Sequence, residues 1–126
     1  MSGANGRAGK LSVLVLGGGP DAEREVSLKS SATVAQALQD HGCVVHREII
    51  QKPSATELAA LPGDVVFPVL HGGWGEGGPL QDLVELGDRP YVGCRPGAAR
   101  MAMDKLATKL AAARCRLAES GLTIRA

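Results

Sequence analysis

Aromatic residues are almost missing from this sequence: Phe67, Trp74 and Tyr91 are the whole stock in 126 residues. Any core must therefore be aliphatic. Single-strand nucleic-acid binding uses aromatic platforms interleaved with basic residues, and that stock is lacking. Charge of one sign is lacking too. Fourteen Lys and Arg against thirteen Asp and Glu leave a net +1, which gives no electrostatic case for nucleic acid or a membrane surface as partner. No run approaches the ~18 apolar residues of a membrane span, and Met1 to Gly9 is small and polar, without the apolar stretch of a signal peptide. The three cysteines, Cys43, Cys94 and Cys115, are odd in number, widely spaced and form no C-x-x-C pair. Neither a zinc site nor a thioredoxin-type motif is signalled. The expectation is a reduced, cytoplasmic protein with buried thiols and no metal site.

What is present is the composition of a folded domain. Apolar residues are 44% and charged residues 21%, which excludes a disordered chain. Leu11 to Leu16 is a short apolar run ending at Gly17-Gly18-Gly19-Pro20, the pattern of a buried parallel strand feeding a tight turn. Val26, Leu28, Ala32, Ala35 and Leu38 lie near a helical stripe, stopped by Gly42. Cys43 to Ile50 reads as a second strand, and Ser54 to Leu61 as a short helix capped by Ser54. Asp64 to Leu70 is a third strand, in which Pro68 must sit at an end or a bulge because it cannot donate to a ladder. A glycine-rich loop from His71 to Pro79 precedes a helix through Leu80, Leu83, Val84 and Leu86, a short strand at Arg89 to Gly93, and a helix from Pro96 to about Ser120. Strands alternating with helices predict an α/β fold: a three-layer, Rossmann-like domain with a parallel sheet.

Two loops leave the same edge of that sheet. The first, Gly17-Gly18-Gly19-Pro20-Asp21-Ala22, fits G-x-G-x-x-A, and Glu48 could serve as a ribose-binding acid. That pattern supports a dinucleotide domain. Glu23, Arg24 and Glu25 argue against it, because two carboxylates at a helix N-terminus repel a pyrophosphate and suit an ammonium. Alternatively, Glu23 and Glu25 only complement the helix dipole. The second loop has five glycines in nine residues, with His71 and Glu76 as its polar pair. Such a loop lets backbone approach a ligand, or simply marks a sharp turn.

Four motifs give the sequence a specific likeness. Gly17-Gly18 with Ala22-Glu23-Arg24-Glu25-Val26-Ser27 resembles the G-G-x-S-A-E-R-E-V-S signature of D-alanine–D-alanine ligases. His71-Gly72-x-x-Gly75-Glu76-x-Gly78-x-Leu80-Gln81 resembles their second loop, Pro90-Tyr91-Val92-Gly93 a P-Y-[TV]-G strand, and Met103-Asp104-Lys105 the M-D-K that opens the next helix. The resemblance implies a pre-ATP-grasp domain at 11–109, after a flexible leader at 1–10. A helical tail at 110–126 would end short of the ATP-grasp domain. In that family ATP phosphorylates one D-alanine carboxylate and the amine of a second attacks it.

The resemblance also implies roles. Glu23 would hold the ammonium of the first D-alanine, with His71 near the same substrate as a second catalytic candidate. Gly75, Glu76 and Gly78 would shape the pocket, and Lys105 would meet the ATP phosphates. ATP and Mg²⁺ would be the cofactors, with the metal ligands outside this chain. D-alanine, a second copy in a homodimer, or a separate ATP-grasp half would be the partners, and the chain alone would be inactive. A free-standing amino-acid-binding module and a dinucleotide-binding domain are the alternatives. Four positions depart from the family pattern. Asp21 replaces a serine, Gly77 an acid or amide, Pro79 a threonine and Asp82 a small residue. A glycine at 77 makes no side-chain hydrogen bond, which predicts a looser loop.

Overall fold

The computed structural model describes residues 10–104. Lys105, Cys115 and the tail expected over 110–126 lie outside the described residues, as does nearly all of the leader. The elements run β1 (Ser12–Gly18), α1 (Arg24–Asp40), β2 (Val44–Ile50), α2 (Ala55–Ala59), β3 (Val65–Pro68), α3 (Gly72–Glu76), α4 (Pro79–Glu85) and α5 (Pro96–Met103). The three strands form a parallel sheet in the order β2-β1-β3, with Val13 opposite both Val45 and Val65.

The continuous apolar run of β1 is explained by its central place. Leu14 and Leu16 point to one face, and with Leu58, Val66, Leu70, Leu80 and Val84 they build one core cluster. Val13 and Val15 point to the other face and pack with Ala35 of α1. All four β1 side chains are at most 2% exposed. Burial on both faces makes the expected three layers: α1, the sheet, and α2 with α4.

The apolar stripe expected on α1 is only partly its buried face: Ala35 and Leu38 pack on the core, and serines take the other buried positions. Ser27, Ser31 and Ala35 are buried, while Val26 is 52% exposed. The reason is close packing. A Cβ on Gly17 would lie 2.3 Å from the Ser31 hydroxyl, so only a small side chain fits on the helix there. Each buried serine is also satisfied. The Gly18 N–H donates to Ser27 Oγ at 2.9 Å, Ser27 donates onward to the Val69 carbonyl, and Ser31 donates to Leu28.

Other expectations are met or corrected by local chemistry. Ser54 caps α2 through a reciprocal pair with Glu57, at 3.1 and 2.8 Å. Pro68 is the last residue of β3, where a missing donor costs least. The strand expected at Arg89 to Gly93 shrinks to one parallel bridge, Val66 with Tyr91. The segment expected as a loop from His71 to Pro79 contains α3. The thiols are not buried as expected: Cys43 is half-buried and Cys94 exposed. No described helix is long and apolar enough to cross a membrane.

Tyr91 is tied to α4, its hydroxyl donating to the Glu85 carboxylate. That hydrogen bond, with smaller help from partial burial and the nearby negative charge, raises the phenol above its ordinary 10.0. The neutral phenol is the form the fold favours, so this stabilisation is complete below 10.0 and is lost as pH rises through the folded value. Tyr91 is the single tyrosine, so ultraviolet titration of phenolate will report it alone, with a midpoint above 10.0 that Glu85→Gln brings back down. For the core, Leu16→Ala should cost about 2–5 kcal/mol in chemical denaturation. Leu86→Ala, at a position 73% exposed, should stay within about 0.5 kcal/mol.

Candidate functional site

Both glycine loops leave the carboxyl ends of the strands, β1 into Gly17–Asp21 and β3 into the segment at His71. This is the edge where open parallel sheets bind ligands. The first turn is closed from inside. Gly19 N–H donates to the Ile50 carbonyl at 2.8 Å, and Gly18 N–H is taken by Ser27. The Arg24 guanidinium lies over the turn and donates to the Gly19 and Ile50 carbonyls at 2.9 and 3.0 Å. A fingerprint turn needs its amides turned outward to a pyrophosphate. Two of them are already engaged here.

Glu23 is the N-cap residue of α1, yet its side chain makes no capping bond. Its carboxylate is exposed, as is that of Glu25 in the first turn. His71 is the N-cap residue of α3 and likewise does not cap. Its Nε2 is buried with no hydrogen-bond partner among the described residues. A buried polar atom left unpaired costs about 1–3 kcal/mol, which singles this atom out for a ligand or solvent partner.

The second loop is held at several points. Gly72 N–H donates to the Glu76 carboxylate at 3.0 Å, so Glu76 braces its own helix. Buried Gln81 accepts from Gly78 N–H and donates to the Gly75 carbonyl, both at 3.0 Å, tying α3 to α4. Gly75, Glu76, Gln81, Cys94 and Met103 are among the residues lining a cavity of about 280 Å³. A larger cavity, about 410 Å³, lies by Gly63 at the amino end of β3 and includes none of the expected site residues.

The departures in this loop have structural places. A Cβ on Gly77 would meet the Gly73 carbonyl oxygen at 2.5 Å, so this loop conformation has no room for an acid or amide there. Pro79 opens α4, the position where its missing N–H is tolerated. Asp82 forms a two-pronged ion pair with Arg100 of α5. The Arg100 hydrogen bond lowers the Asp82 carboxyl below its ordinary value, and the same bond raises Arg100. The residue that sequence reasoning missed is Asp21, whose carboxylate accepts from Trp74 and Gly75 N–H, each at 3.2 Å, and so joins the two loops. Its substitution for serine was visible in the sequence; its partners, more than fifty residues away, were not.

Comparison with known proteins gives a consistent likeness in sequence and fold. The family model described as D-ala D-ala ligase N-terminus matches residues 46–94. The D-alanine–D-alanine ligase of Cupriavidus necator is 48% identical over 101 residues, covering 80% of this chain and 30% of that protein. The D-alanine–D-alanine ligase of Saccharophagus degradans is 45% identical over 96 residues, covering 76% of this chain and 31% of that protein. The crystal structure of the D-alanine–D-alanine ligase from Aeromonas hydrophila superposes with a TM-score of 0.70 at 32% identity, over 83% of this chain and 46% of that one. The chain thus spans about a third of the length of the curated relatives it matches. In sequence and in fold, this chain is similar to the N-terminal part of D-alanine–D-alanine ligases.

Proposed function

We propose that this domain forms the amino-acid side of a D-alanine–D-alanine ligase site and binds the ammonium of a D-alanine. The observation that supports it most is the closed first turn. With Gly18 and Gly19 N–H engaged internally and Arg24 laid over their carbonyls, the loop offers little to a pyrophosphate. What it presents instead is a pair of exposed carboxylates, Glu23 and Glu25, which attract a cation. Glu23 is the ammonium acceptor in this reading. His71, with its unpaired buried Nε2, is the second polar contact in this reading. Gly75, Glu76 and Gly78 shape the wall, braced by Gln81.

The ligation itself, in the service of peptidoglycan synthesis, uses ATP and Mg²⁺ to convert one D-alanine carboxylate to an acyl phosphate. Lys105 would meet the ATP phosphates as a point charge. Among the described residues, no group of three or more His, Cys, Asp or Glu could hold a metal ion. In this reading the role of the described residues is to bind and orient the amino acid.

Calorimetric titration of the 126-residue chain tests the reading. D-alanine should bind saturably, and Glu23→Gln should weaken it by about tenfold or more, the scale of one charge-assisted hydrogen bond. Binding of NAD that survives Glu23→Gln would favour a dinucleotide domain instead.

A further inference from the structure

The start of α3 poses a hydrogen-bonding problem. The first amides of a helix have no partner within it, and His71, at the capping position, supplies none. Gly72 N–H is met by Glu76. Trp74 and Gly75 N–H both donate to Asp21 Oδ2 of the first loop, and Trp74 N–H also reaches Asp21 Oδ1 at 3.5 Å. We propose that Asp21 is a positioning residue, latching the second loop onto the first so that His71 is held in register with Glu23. The proposal rests on the reading of Glu23 and His71 as the amino-acid site.

Three features support the latch. The first is wedged packing. A Cβ on Gly72 would fall 2.5 Å from Asp21 Cβ, and Gly72 has φ 91°, so the backbone at 72 accepts the carboxylate only as glycine. The second is charge, since a carboxylate at the first turn of α3 complements the partial positive charge of those amides. The third is placement. Asp21 lies two residues before Glu23, and Gly72 directly follows His71, so the bond joins the two segments next to the residues it would align. A serine at 21 would end one atom sooner and offer one oxygen on a shorter arm. Asp21 is itself engaged by two amides, so it positions the site while Glu23 receives the ammonium.

The test pairs amide hydrogen exchange with D-alanine titration on the full chain, for Asp21→Ala, Asp21→Ser and Asp21→Asn. Losing the acceptor should speed exchange at Trp74 and Gly75 about tenfold in Asp21→Ala and weaken D-alanine binding by a similar factor. Gly18 exchange should stay unchanged. Asp21→Asn, which keeps an acceptor oxygen, should restore both quantities to within about threefold. Should the alanine chain fail to fold, Asp21→Ser is read the same way. Unchanged exchange at residues 74 and 75 overturns the latch. Faster exchange with unchanged D-alanine affinity overturns the positioning role. A wild-type chain that binds no D-alanine sinks the reading of the site, and the exchange data then decide the latch alone.

Discussion

The close approach of α1 to the glycine end of β1 is the constraint on which the rest depends. Gly17 leaves no space for a Cβ against Ser31, and Gly18 N–H is bonded to Ser27. Those contacts fix the height of α1 above the sheet and therefore where Glu23, at its N-terminus, stands. Ser27 continues the chain of bonds to Val69, just after β3, so the same helix also registers the strand that feeds the second loop. A larger residue at 27 or 31 would push the helix off the sheet and move both loops. Polar residues at the tightest helix–sheet contact are tolerable because each hydroxyl is hydrogen-bonded.

This geometry also decides the electrostatics. Arg24 is turned inward to two carbonyls, while Glu23 and Glu25 face outward. The sign of the exposed charge at the helix start is thus negative, opposite to what a phosphate-binding turn requires. The glycine pattern alone fits both a dinucleotide and an amino acid. The direction of these three side chains is what favours an ammonium in the proposed reading.

Much of the fold was legible in the sequence where one local rule dominated. The apolar run at 11–16, the terminal role of Pro68 and the Ser54 cap all followed from short-range chemistry. Sequence reasoning failed where tertiary contact overrode it. The buried face of α1 carries serines, which no hydrophobic period reveals. Helix α3 is Gly-Gly-Trp-Gly-Glu, a poor helix former on propensity, braced from outside by Asp21 and Gln81. The strand expected around Tyr91 keeps a single bridge beside Pro90, which has no N–H to give a ladder. For the proposed site, the resemblance named Glu23, His71, Gly75, Glu76 and Gly78 as candidates. It did not reveal how the two loops are joined, since the bond from Asp21 to Trp74 crosses half the domain's sequence.

The most direct test is a crystal structure of the chain soaked with D-alanine and pyrophosphate together. An ammonium within hydrogen-bonding distance of the Glu23 carboxylate, with no anion on the Gly17–Gly19 turn, is the expected result. Pyrophosphate seated on that turn, with Glu23 turned away and no amino acid beside it, would contradict the account.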